Sequence, residues 1–191
     1  MMKSIKFGAL LLVILATQGC GSSSSGEAPT ELATLFKDLA DQVILPNYRE
    51  SQSAVTALAG DSGAIQQYCD AIGSANESAQ LLGAKNAWKS AMGVWQRAEM
   101  HKLGPVIANN ETLQNRILSY KQGNINTCAL DQAVVLSQLG GFDISQKAPN
   151  QKGLGSVEYL LFNTDLTHTC PGTIIETADW DARTQHQRKE W

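Results

Sequence analysis

The chain is 191 residues long, with fifteen Lys and Arg against eighteen Asp and Glu, a net charge of −3, and 43% hydrophobic residues. That length suits one domain with a real core, and the mild acidity, without a basic stripe or an aromatic-and-arginine platform, argues against nucleic acid as a partner. Four cysteines with no CxxC spacing exclude a zinc knuckle.

The N-terminus carries Lys3 and Lys6, then an apolar stretch from Phe7 to Ala16, then Thr17-Gln18-Gly19-Cys20. Such a stretch matches the apolar region of a secretory signal and falls well short of the roughly 20 residues a membrane-spanning helix requires. Gly19 before Cys20 resembles the acylation box of bacterial lipoproteins, although Thr17 stands where leucine is usual. Residues 1–19 are therefore expected to be a signal peptide, and Cys20 the lipidated first residue of the mature chain. Gly21-Ser22-Ser23-Ser24-Ser25-Gly26 cannot bury a core, so residues 20–29 read as a flexible tether. The expected location is the cell envelope, lipid-anchored on the periplasmic side, with the outer membrane ahead of the inner.

Residues 30–59 read as a long helix on the recurrence of Leu32, Leu35, Phe36, Leu39 and Val43, with a kink or break before Pro46. Gly60-Asp61-Ser62-Gly63 ends it. A short helix over 64–72 carries Cys69. The longest helix opens at Ser74-Ala75-Asn76-Glu77 and runs to about Lys102. Its stripe is Leu81, Lys85, Trp88, Met92 and Trp95, with Glu99 next in the series, and Leu103-Gly104-Pro105 stops it. Short helices follow over 111–120 and 129–139. Residues 154–162 are apolar nearly all round and read as a buried helix, since no partner strand alternates with period two. The last residues look like a helix under way, and the chain is expected to be truncated at its C-terminus.

Lipid on Cys20 leaves Cys69, Cys128 and Cys170, an odd number in a compartment where disulfides persist. The positions of Cys128, after a short helix, and Cys170, in the loop after the buried segment, favour a bridge between them. Cys69 is then free or paired beyond residue 191.

Two carboxylates stand out. On a helix, Leu154, Val157, Glu158 and Leu161 share one face, which places Glu158 inside an apolar stripe. A buried carboxylate needs a cation, a metal or hydrogen-bond donors. Glu99 extends the Trp88/Met92/Trp95 stripe and is expected to point inward too, either paired with Arg97 or Lys102 or facing a ligand. Two inward carboxylates from two helices are how helical bundles hold hard cations. The histidines do not strengthen a metal reading. His101, His168 and His186 lack zinc-site spacing, and His101 is expected on the surface. No nucleophile motif or phosphate loop is present.

Ala87-Trp88-Lys89-Ser90-Ala91-Met92-Gly93-Val94-Trp95-Gln96-Arg97-Ala98-Glu99, ending in Leu103-Gly104-Pro105, resembles a signature segment of imelysin-like proteins. Gly153-Leu154-Gly155-Ser156-Val157-Glu158-Tyr159-Leu160-Leu161-Phe162 resembles their second signature, a Gly-x-His-x-x-Glu stretch, and Val43-Ile44-Leu45-Pro46-Asn47-Tyr48 resembles their first helix. The resemblance spans about residues 30–190. It implies an all-α fold, an up-and-down helical bundle forming the N-terminal half of a two-bundle protein. It also implies a link to iron uptake, with iron or another divalent metal as the possible ligand and a protein partner in uptake. The motif residues it brings forward as ligand-binding candidates are Glu158, Glu99, Gly153, Trp95 and Arg97, with Glu158 and Glu99 as metal ligands. The family carries a metallopeptidase label. Here Gly155 replaces the motif histidine, which removes the only nitrogen ligand of the motif and makes zinc-type hydrolysis hard to build. Three functions remain: a tethered, non-enzymatic metal or small-ligand binder, a metallopeptidase, and a scaffold for a protein partner.

Overall fold

The computed structural model describes residues 30–119 and 124–190. The expected signal peptide, Cys20 and the whole of the expected tether lie outside the described residues. Everything described is helix, turn or loop, and no β-strand occurs among the described residues. The fold is an all-α helical bundle, as expected.

The helices are α1 (Thr30–Leu39), α2 (Leu45–Ala59), α3 (Ala64–Ala71), α4 (Glu77–Glu99), α5 (Ala108–Leu118), α6 (Thr127–Ser137), α7 (Leu154–Phe162) and α8 (Gln185–Glu190). α1 and α2 form one continuous rod through a π-helical turn, Ala40–Ile44. Pro46 has no N–H to give and its ring crowds the preceding turn, so the helix widens there instead of breaking. The apolar face of α1 is not a core face. Leu35 and Phe36 are about 60% exposed, and Leu32, Leu39 and Val43 are also exposed. None of the ten residues of α1 is buried.

α4 is the centre of the bundle, with α2, α3 and α7 packed around it. Its buried residues are Ala84, Trp88, Ala91, Val94, Trp95 and Ala98. The face that faces inward is therefore rotated from the expected stripe towards the alanines. Small side chains let α2 and α3 approach closely, and Leu81, Met92 and Glu99 fall to the flank, half-buried. Leu58 from α2 and Leu154 and Leu161 from α7 complete the core.

α7 is a helix, as expected, and its Leu154 and Leu161 face the core, but it is enclosed most fully at its first turn. Leu154, Gly155 and Ser156 form a first turn that is enclosed all round, whereas Leu160 and Phe162 further on are exposed. Gly153 makes this insertion possible. Its φ of +96° and ψ of −168° belong to a region open essentially to glycine alone. A Cβ there would stand 2.5 Å from the Ile117 carbonyl oxygen and closer still to that of Arg116. The end of α5 thus lies directly against the start of α7. Ser119, fully buried with φ +68°, ties the junction. Its hydroxyl donates to the Lys152 carbonyl and accepts from the Ser156 N–H at 3.3 Å. From the other side, Trp88 Nε1 donates to the Leu154 carbonyl at 2.8 Å.

α5 begins earlier than expected and irregularly, with Asn109, Asn110 and Glu111 in left-handed conformation before the regular turns. Cys128 and Cys170 are disulfide-bonded across 42 residues, and Cys69 is free and exposed, as the sequence suggested.

Candidate functional site

Along α4, Trp88, Met92, Gln96 and Glu99 fall at i, i+4, i+8 and i+11, a row on the flank of the helix next to its buried face. Together with Leu118 from the end of α5 and Glu158 from the second turn of α7, they line a cavity of roughly 340 Å³. The two carboxylates singled out in the sequence thus come together on one surface concavity. The seam between α4 and α7 is held beside it by the Trp88–Leu154 hydrogen bond and by an edge-on contact of Trp88 with Phe162, 5.4 Å between ring centres. Lys85 lies over the Phe162 ring at 5.1 Å.

Glu158 is half-buried, not enclosed as expected. It sits one turn beyond the inserted end of α7, where the surrounding elements no longer close over the helix. Glu99 is also half-buried, its side chain 27% exposed. Gln114, itself buried, donates from Nε2 to Glu99 Oε1 at 2.5 Å, and Lys102 Nζ stands 3.7 Å from the same oxygen. Gln114 Oε1 is buried with no hydrogen-bond partner among the described residues.

The other candidate residues are placed elsewhere. Arg97 is exposed and pairs with Glu50 at 2.7 Å, not with Glu99. Trp95 is 3% exposed in the core, its Nε1 without a hydrogen-bond partner among the described residues. Gly153 takes the structural position described above. His101 is half-buried instead of surface-facing. Its Nε2 lies 3.0 Å from Asn47 Nδ2, and its carbonyl accepts from the Tyr48 hydroxyl at 2.9 Å. The Pro46-Asn47-Tyr48 segment and the end of α4 are therefore locked together.

The carboxylate that is truly enclosed is Asp131 on α6, 1% exposed. Its Oδ1 accepts from the Tyr159 hydroxyl at 3.0 Å, and its Oδ2 accepts from the Thr169 N–H at 2.7 Å and the Thr169 hydroxyl at 3.0 Å. Burial, then the nearby Asp131 charge, pushes the Tyr159 phenol far above its usual range, so it stays a donor. The sequence did offer a signal, an aspartate inside the apolar run Ala129-Leu130-Asp131-Gln132-Ala133-Val134.

The cavity's polar lining is all oxygen and amide: two carboxylates and Gln96, with the Met92 thioether beside them. Oxygen donors of this kind suit a hard cation better than zinc. Among the described residues no three His, Cys, Asp or Glu converge on a point, so any metal there would bring further ligands of its own. No described helix is long and apolar enough to cross a membrane.

Neither a curated protein nor a solved structure matches the chain. The family model for imelysin matches residues 44–189, from the last residue of the π-turn before Pro46 into α8 and so across all three helices that line the cavity. On that match, which covers more than half of its length, the chain belongs to the imelysin family.

Proposed function

We propose that this protein is a tethered, non-enzymatic binding protein of the cell envelope, and that its ligand is a hard metal ion, iron foremost, held in the cavity of Glu99 and Glu158. The observation that carries the reading is the meeting of two half-buried carboxylates from α4 and α7 in one open cavity. Two carboxylates leave most of a metal's coordination sphere to water or to a chelating molecule, and roughly 340 Å³ is far more room than a bare ion needs. Lys102 Nζ, 3.7 Å from Glu99 Oε1, would compete with a bound cation for that oxygen.

Hydrolysis is less well served. A zinc-activated water needs three protein ligands, and Gly155, where the motif histidine would stand, is buried in the first turn of α7. The exposed apolar face of α1 favours a second reading, a scaffold that docks a protein partner through Leu35 and Phe36.

Thermal melts with and without Fe(III), Zn(II) and chelator test the first reading. Wild type should gain several degrees with Fe(III) and return with chelator, and Glu158→Gln should abolish the gain while keeping its own melting temperature. Absence of any metal-dependent shift in wild type would refute it.

A further inference from the structure

A second cavity lies against another face of α7. It has a volume of roughly 320 Å³ and is bounded by α3, α6, α7, Trp180 and α8. Ile65, Val134, Val157, Leu161 and Trp180 make its walls apolar, while Asp131, Tyr68, Arg188 and Lys189 are its polar lining. That size is at the lower end of what small-molecule sites use.

The charges decide what it can hold. Asp131 already accepts three hydrogen bonds and has little acceptor capacity left. The cations are the reverse. The Arg188 side chain is 14% exposed, and its nearest carboxylate among the described residues is Asp181, 3.8 Å away and 80% exposed. Arg188 otherwise donates to main-chain carbonyls, of Arg183 at 3.2 Å, Leu166 at 3.4 Å and Asp181 at 3.1 Å. That leaves part of its five-donor fork for another acceptor. Lys189 spends one donor on Glu77. Tyr68 adds a hydroxyl, and burial pushes its phenol up, which keeps it a donor.

We infer that this cavity binds a small amphipathic carboxylate, its head on Arg188, Lys189 and Tyr68 and its apolar tail between α6 and α7. A neutral apolar guest would offer no acceptor to the donors that Arg188 and Lys189 have left, and a cationic one would bring further donors to a head region that already holds two cations. The site is separate from the Glu99–Glu158 cavity and does not depend on what that one binds.

Calorimetric titration of the full chain with octanoate and with octanol tests it. Octanoate should bind at least tenfold more tightly than octanol. Lys189→Met should weaken octanoate about tenfold and leave octanol unchanged, and Val157→Trp, which fills the space, should block both. Cys69 lines the same cavity, so octanoate should also slow alkylation of its thiol in the unmutated full chain, read by mass spectrometry of the Cys69 peptide. Equal affinity for octanol and octanoate, no octanoate binding to the folded protein, or loss of octanoate binding in Glu158→Gln would each overturn the inference.

Discussion

Gly153→Ala should destabilise the fold severely even though it adds a single methyl. The backbone at this position, φ +96° and ψ −168°, costs a non-glycine residue about 1–3 kcal/mol. The new Cβ would also press on the Arg116 and Ile117 carbonyls, which are main chain at the end of α5 and cannot swing aside. Forced overpacking adds about 1–3 kcal/mol. The sum is about 4 kcal/mol, and at about 2–4 °C per kcal/mol for a domain of this size the melting temperature should fall by about 8–16 °C. Circular dichroism at the helical minimum measures it, with Gly83→Ala as control. Gly83 lies inside α4 with nothing within 4 Å of a new Cβ, so that change should raise stability by about 0.5–1 kcal/mol. A Gly153→Ala protein that melts within about 2 °C of wild type would show the packing argument to be wrong. It would instead return Gly153 to the role of a ligand-site residue.

Asp131→Asn replaces an acceptor-only group with an amide that must turn its own N–H₂ towards donors, and should cost about 3 kcal/mol in urea unfolding; a loss under about 1 kcal/mol would mean the three bonds contribute little net stability. Trp88→Phe loses the bond to Leu154, worth about 1 kcal/mol, and the part of the indole that fills the core, so it should cost about 2 kcal/mol by the same measurement. The hydrogen bond from Lys189, with that from the Gly73 N–H, holds the Glu77 carboxyl below its ordinary value of 4.5, and Glu77 raises Lys189 above its ordinary 10.5. A lowered carboxyl stabilises above its unfolded value and loses that contribution as pH falls through the folded one; a raised amine does so in the opposite direction at high pH. Glu77→Gln should therefore flatten the fall in melting temperature below pH 4.5 and leave the neutral range nearly flat, and an unchanged acid limb would contradict the pairing.

Much of this architecture can be read along the chain because helix periodicity and stops are local. α4 ends at Glu99, about a turn before the Leu103-Gly104-Pro105 stop and the Lys102 expected from it, and the 154–162 segment is helical because nothing else could pair with it as a strand. What failed was non-local. The stripe Trp88, Met92, Trp95 gave the helix but not its rotation, which depends on how closely α2 and α3 approach Ala84, Ala91 and Ala98. Glu158 looked enclosed because periodicity assumes even burial along a face, and α7 is enclosed most fully at its first turn. Asp131 was passed over because its partners, Tyr159 and Thr169, lie 28 and 38 residues away. Glu99 and Glu158 were both visible as misplaced charges, yet their shared cavity exists only once α4 and α7 are packed.

The disulfide and the Asp131 cluster have a joint biosynthetic consequence. Thr169, which supplies two of the three donors to Asp131, is the residue next to Cys170, and Cys170 is bonded to Cys128 one turn of α6 before Asp131. Oxidation therefore delivers the donors to the buried carboxylate. Made in a reducing compartment, the chain should still assemble α2, α3, α4 and the first turn of α7, whose contacts involve neither cysteine, while the stretch from Asn163 to Trp180 lacks its covalent anchor on α6 and keeps only the Thr169 hydrogen bonds and packing there. Maturation would then proceed in two stages, a core that forms wherever the chain is synthesised and a covering segment that is sealed only where Cys128 and Cys170 can oxidise.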